Sequence, residues 1–203
     1  MKNHVMFLFV AMLISGAITS GTSQVRLGAK AGLNLATQNW NNYGGNVETQ
    51  LLPSFMIGGV VEFDMNENWG FGAGLQYQGK GTQVTLFKTF TNYLQIPVQL
   101  QYRSNGYFVA LGPYVSYAIN GKYKENGGDT FDLSFGSSED DDFGSTDFGM
   151  NLEAGYEFRT LRATASYSLG FANIIPADNK SLSEGSIHNS VITVALTVLF
   201  GEY

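Results

Sequence analysis

From Tyr93 to Arg103 the chain reads YLQIPVQLQYR, with Leu94, Ile96, Val98, Leu100 and Tyr102 at even positions and Tyr93, Gln95, Pro97, Gln99, Gln101 and Arg103 at odd ones. A period of two is a β-strand with one apolar and one polar face. A soluble sandwich buries the apolar face in a core, whereas a transmembrane barrel turns it toward lipid and turns the polar face toward an enclosed lumen. This stretch fits both folds, so the choice rests on the rest of the chain.

The alternation recurs over Val25 to Thr37, Phe55 to Phe63, Trp69 to Gln78, Tyr107 to Tyr117, Asp147 to Phe158, Leu161 to Leu169 and Ser190 to Phe200. With the opening stretch these predict eight strands of about 9 to 13 residues, the length that a tilted crossing of the hydrocarbon layer requires. The connections alternate in length. Long ones cover Gln38 to Pro53, Gly79 to Asn92, Ile119 to Thr146 and Phe171 to His188, and short ones cover Asp64 to Asn68, Arg103 to Gly106 and Arg159 to Thr160. Short periplasmic turns alternating with longer external loops mark an outer-membrane barrel, and a sandwich has no reason to keep that order. Aromatic residues gather at the strand ends: Phe63, Trp69, Tyr102, Tyr107, Phe158 and Phe200 at one level, and Trp40, Phe55, Tyr77, Tyr117, Tyr167 and Phe171 at the other. These are the expected interfacial girdles. The predicted fold is all-β, an eight-stranded antiparallel up-and-down transmembrane β-barrel.

Composition supports this reading. Only 14% of the 203 residues are charged, against about 25% in an average soluble protein, so much of the surface faces something other than water. The net charge of −6, with no basic cluster, argues against nucleic acid as a partner. Lys2, the apolar run Val5 to Ile14 and small residues up to Ser23 have the layout of a secretory signal peptide, with cleavage expected between Ser23 and Gln24. Residues 1–23 are therefore assigned to the leader and 24–203 to the barrel domain. The chain has no cysteine, which excludes a disulfide scaffold and a lipoprotein anchor.

The leader, the eight alternating strands, YLQIPVQLQYR, the following ALGPYVSYAI and the closing ITVALTVLF together resemble the outer-membrane β-barrel family of Bacteroidetes known as PorT-like, small barrels of the OmpA/OmpX type. The resemblance covers essentially the whole mature chain. It implies an accessory part in protein secretion or envelope organisation, with outer-membrane lipids, lipopolysaccharide and envelope or secretion proteins as partners. The closing strand departs from the usual assembly signal, ending Gly201, Glu202, Tyr203 after Phe200.

The polar faces collect Arg26, Lys30, Glu62, Gln76, Gln99, Gln101, Arg103, Glu153, Glu157 and Arg162. An eight-stranded barrel is just wide enough for side chains to fill it, and opposite charges confined there are expected to pair. The expectation is a hydrogen-bonded plug in which Arg26, Lys30, Glu62, Gln99, Arg103, Glu153, Glu157 and Arg162 form a lumen network; a narrow ion path is the alternative. The loop Glu125 to Asp147 carries Glu139 to Asp142 in a row. It lacks the spacing of a calcium loop and is expected to be solvated and partly disordered. His188 and Ser190 form the most enzyme-like pair, resembling barrel lipid A deacylases. A triad also needs a carboxylate to orient the histidine, and only Glu184 is near, with Glu202 about 40 Å away along an extended strand at ~3.3 Å per residue. No cofactor, metal or catalytic residue is therefore assigned, and the protein is read as a non-enzymatic barrel, with a channel and a lipid A hydrolase as alternatives. Pro97 has no amide donor, which predicts a local irregularity in a closed sheet.

Overall fold

A computed structural model describes residues 25–41, 49–125, 128–138, 140–176 and 185–200. The expected leader with its Ser23/Gln24 cleavage site, Glu139, Glu184 and the final Gly201, Glu202 and Tyr203 lie outside the described residues. Nine strands follow in order: β1 Val25–Asn41, β2 Leu52–Asp64, β3 Trp69–Gln83, β4 Phe87–Ser104, β5 Tyr107–Glu125, β6 Thr130–Asp132, β7 Thr146–Phe158, β8 Leu161–Gly170 and β9 Ser186–Phe200. Eight of them close a ring. Each pairs antiparallel with its neighbour, β5 passes directly to β7, and β9 returns to β1 in an unbroken register from Leu27↔Phe200 to Asn41↔Ser186. The short β6 stands outside the ring, paired to the outer end of β5.

Side-chain placement decides which medium each face meets. Leu94, Ile96, Leu152 and Val194 are 40%, 45%, 50% and 64% exposed, whereas Gln99 and Glu153 are 8% and 4% exposed. Apolar residues outside and polar residues inside invert the arrangement of a soluble core, as a lipid-embedded barrel requires. The girdles fall as expected at most positions: Trp69 packs on Tyr102 with ring centroids 4.9 Å apart, and Phe55 on Tyr77 at 5.5 Å. Trp40 is the exception. It lies an even number of residues from Arg26, so it turns inward and packs with Phe135 and Leu133 against Phe143, Ile174, Ile175 and Ile187 in a small apolar cap over the external end of the lumen.

All four long connections expected as loops are partly strand, the last of them from Ser186, where β9 begins. The connection Gly79 to Asn92 is a continued ribbon, with Lys80↔Thr91 and Gln83↔Lys88 in register and Val84 to Leu86 left as its turn. Likewise β1 runs to Asn41, and β5 to Glu125. The reason is physical: beyond the lipid, outward positions no longer need to be apolar, so alternation stops while the hydrogen-bonded ladder continues. The loop 128–146 is also more built than expected. β6 anchors it to β5, Phe135 pairs with Phe143, and Asp142 accepts hydrogen bonds from the Ser134 amide at 2.8 Å and hydroxyl at 3.0 Å. At the opposite end the turn of Arg103 to Gly106 is tight as expected. Asn105 and Gly106 both have positive φ, 51° and 83°, the two-residue geometry that matches strand twist in a hairpin.

Pro97 interrupts pairing without shifting it. On the β3 side paired residues stop at Ala73↔Val98 and resume at Gln76↔Gln95 in the same register, and on the β5 side they stop at Pro97↔Tyr114 and resume at Leu100↔Leu111. The register shift itself lies higher, between Asn92 and Tyr93, where Ile119 is the extra residue of β5. The proline thus interrupts the ladder locally on both sides without a change of register.

Leu152 sits mid-height on the outward face of β7. Replacing it with Arg should destabilise the barrel by about 2–4 kcal/mol, as for a cation at the bilayer midplane, measured by urea unfolding in phospholipid vesicles. An unchanged midpoint would contradict the lipid-facing assignment.

Candidate functional site

The inward positions of eight strands converge on one lumen, and their chemistry changes with height. At the end near the short turns, Glu62 on β2 is 1% exposed and accepts hydrogen bonds from three strands: Arg26 at 2.9 Å, Arg162 at 2.5 and 3.0 Å, and Gln101 at 3.1 Å. Glu157 accepts from Arg26 at 2.6 Å and from Arg162 at 2.5 and 2.8 Å. Arg103 pairs with Asp64 and reaches to 3.8 Å from Glu62. Three guanidinium groups therefore face three carboxylates, and the planar fork of Arg allows each carboxylate to be held from more than one side. The Arg162 guanidinium also lies 3.8 Å from the centroid of Phe108, a contact worth more in a desolvated site than on a surface.

Above this cluster Lys30 donates to Glu153 at 2.6 Å. At mid-height the groups are neutral: Gln99 donates to Asn151 at 2.7 Å, Asn151 to Ser168 at 2.7 Å, and Thr193 to Asn34 at 2.8 Å. Near the external end Lys80 and Asp147 are 1% and 0% exposed and meet at 2.8 Å. The same carboxylate oxygen accepts from Asn189 at 3.1 Å, and the ammonium lies 4.5 Å from the Tyr114 ring centroid and 4.8 Å from that of Tyr93.

Glycines make this filling fit. Gly70 and Gly72 face inward, where an added Cβ would stand 2.7 Å from the Arg103 guanidinium at the first and collide with the Gln101 amide at the second. Two voids lined by lumen side chains are about 10 and 20 Å³, space for at most about one water each. Five cations, Arg26, Lys30, Lys80, Arg103 and Arg162, meet five carboxylates, Glu62, Asp64, Asp147, Glu153 and Glu157. Among the described residues the charges of the lumen balance.

Of the residues expected in the lumen, Arg26, Glu62, Arg103, Glu157 and Arg162 come together in one cluster, Lys30 and Glu153 in a second, and Gln99 joins the neutral layer. Sequence reasoning left Asp64 and Lys80 in connections and Asn189 between a loop and a strand, and it placed Asp147 and Asn151 on the polar face of a strand without counting them in the network. Lys80 continues the inward phase of Gln76 and Gln78, a signal that was present and hidden by the loss of apolar partners at Gly79 and Gly81. Ser190 on β9 makes its side-chain hydrogen bond to a tyrosine of β8: the Ser190 hydroxyl donates to the Tyr167 hydroxyl at 2.9 Å. Among the described residues no group of three or more His, Cys, Asp or Glu side chains is placed to hold a metal.

The model of the outer membrane protein beta-barrel domain family matches residues 19–176. The chain belongs to that family. Solved structures of similar fold include Ail, the attachment invasion locus protein of Yersinia pestis, 12% identical with a TM-score of 0.46 over 87% of this chain and 99% of Ail. Neisserial surface protein A is 11% identical at a TM-score of 0.48, over 88% of this chain and 99% of its own. The outer membrane protein AlkL is 11% identical at a TM-score of 0.46, over 91% and 94%. No curated protein matches the chain. As a member of the family the protein resides in the outer membrane, with the charged lumen enclosed by its wall.

Two predictions follow from the ion pairs. Glu62→Gln leaves Arg26 and Arg162 short of a buried counter-charge and should cost about 3–5 kcal/mol, seen as a lowered urea midpoint in vesicles. For Lys80→Met and Asp147→Asn, the double variant should be more stable than the sum of the two single effects by about 0.5–3 kcal/mol; strict additivity would mean that the pair is not coupled.

Proposed function

We propose that the protein is a sealed, non-enzymatic barrel that serves as a structural and interaction element of the cell envelope, with its external face as the working surface. The observation that carries this reading is the lumen filled by paired side chains, in which the voids around Lys30, Gln76 and Gln99, about 10 and 20 Å³, are too small for a hydrated ion. The resemblance to PorT-like proteins supplies the partner class: envelope or secretion proteins bound through the external loops, with lipid and lipopolysaccharide around the wall. Residues 1–23 act in this reading as the export leader.

The external elements suit such a role. The β3–β4 and β5–β6 ribbons project beyond the apolar band, Leu86 at a ribbon tip is 75% exposed and Phe131 on β6 is 53% exposed. Apolar side chains held outside the lipid on a rigid ribbon are a recognition feature. A hydrolase is disfavoured by the Ser190 contact with Tyr167, since a neutral phenol is a poor general base near neutral pH.

In planar bilayers the purified protein should give no discrete conductance steps, and regular steps would replace this reading with a channel. Pulldown from detergent-extracted membranes, with residues 136–142 exchanged for a Gly-Ser linker, should lose envelope proteins that the intact chain retains. Identical partner sets would place recognition elsewhere. Expression with and without Ser190→Ala should leave lipid A acylation the same.

A further inference from the structure

The cations of the chain are distributed unevenly. Of the nine among the described residues, five are paired in the lumen and Arg159 occupies the β7–β8 turn. The other three, Lys88, Lys122 and Lys124, share one face of one hairpin. Thr89, Thr91 and Tyr93 of β4 are buried on the inner side, so Lys88, Phe90 and Asn92 point outward. In register, Lys124 stands directly opposite Lys88, and Lys122 opposite Phe90. Two lysines face to face across a ladder repel each other. Among the described residues no carboxylate lies within 4.0 Å of any of the three. Asp132 of β6 is the cross-strand neighbour of Lys122 and tempers that side, whereas Lys88 and Lys124 have Gln83 and Thr130 as their other neighbours.

The height of the patch identifies its counter-ion. The outward apolar run ends at Leu94 on β4 and Ile119 on β5, both 40% or more exposed. Lys122 lies three residues beyond Ile119, about 10 Å along the strand and about 7 Å in height at a tilt of ~45°. The polar layer adds about 5–8 Å on each side of the hydrocarbon, so Lys122 stands at headgroup level, with Lys88 and Lys124 just above it. Between them and the apolar wall, Asn92 donates to Asn120 at 2.8 Å, a layer of amides with further donors. The anions at that depth on the external leaflet are the phosphates of its lipids, and flexible ammonium groups suit phosphate as point charges.

We propose that Lys88, Lys122 and Lys124 form a recognition patch for the phosphate groups of a phosphorylated outer-leaflet glycolipid, seating its acyl chains along Leu94 and Ile96. The patch relieves the Lys88–Lys124 repulsion only when occupied. It depends on the outer-membrane setting and on no assumption about conduction through the lumen.

The full chain, folded in detergent, is titrated with bisphosphorylated lipid A and with the same lipid stripped of phosphate, and binding is read by native mass spectrometry. The chain should prefer the phosphorylated form, and K88Q/K122Q/K124Q should bind that form about 100-fold more weakly, at roughly one charge contact per lysine, while K88R/K122R/K124R keeps the preference. Heat-shifted gel mobility verifies folding. Should the triple glutamine variant not fold, K88Q and K124Q singly carry the test, each weakening binding about fivefold. Equal binding by the folded glutamine variants and the unaltered chain overturns the proposal, as does equal binding of the two lipids. Displacement of lipid A by millimolar inorganic phosphate would make the patch a site for soluble anions and overturn it also.

Discussion

The structure depends on the backbone hydrogen bonds being closed upon themselves. In hydrocarbon an unpaired amide or carbonyl has no water to turn to and costs several kcal/mol, so a sheet can cross only if its last strand meets its first. Here that seam is the β1–β9 ladder, which runs without interruption through the apolar band. Once it exists, the alternation of side chains sorts every residue into one of two media. The outward set needs only to be apolar and long enough. The inward set must solve a harder problem, because a narrow lumen with little water tolerates charge only as neutral, well-bonded groups.

The inward solution is layered. Guanidinium groups, which can serve two carboxylates at once, occupy the crowded cluster of Arg26, Glu62, Arg103, Glu157 and Arg162. Single ammonium groups, which are point donors, are used where one acid stands alone, at Lys30–Glu153 and Lys80–Asp147. Amides and hydroxyls fill the layer between. The same logic accounts for the inward glycines, since long polar side chains from one strand need the space left empty on the next.

How much of this was legible in the sequence follows from what lipid demands. Where a strand contacts acyl chains, the outward residues must be apolar, and the period of two reveals strand, face and inward partner together; Arg26, Glu62, Gln99 and Glu153 were placed in this way. Outside the band that demand lapses. Gly79 and Gly81 carry no apolar mark, so the ribbon containing Lys80 resembled a loop, and Asp147, though on the polar face of a strand, had no visible partner without it. Trp40 was misplaced for the same reason, because an aromatic near the band could belong to the girdle or, one face over, to the cap. Pairings between strands were beyond reach as well. Parity shows that Lys30 points inward, whereas its union with Glu153 depends on the stagger of the closed ring.

Three pairs of the lumen join residues far apart along the chain: Arg26 to Glu157, Arg162 to Glu62 and Lys30 to Glu153. None of them can form within a hairpin, and all require the terminal strands to have met. A strand that slipped by one residue would thrust these charges into the acyl layer, and a seam that slipped by two would break these three pairs, leaving Arg26 and Arg162 only the Glu62 and Glu157 of their neighbouring strands. The interior thereby acts as a proofreading device for insertion, reserving these three pairs for the one alignment in which the wall is closed.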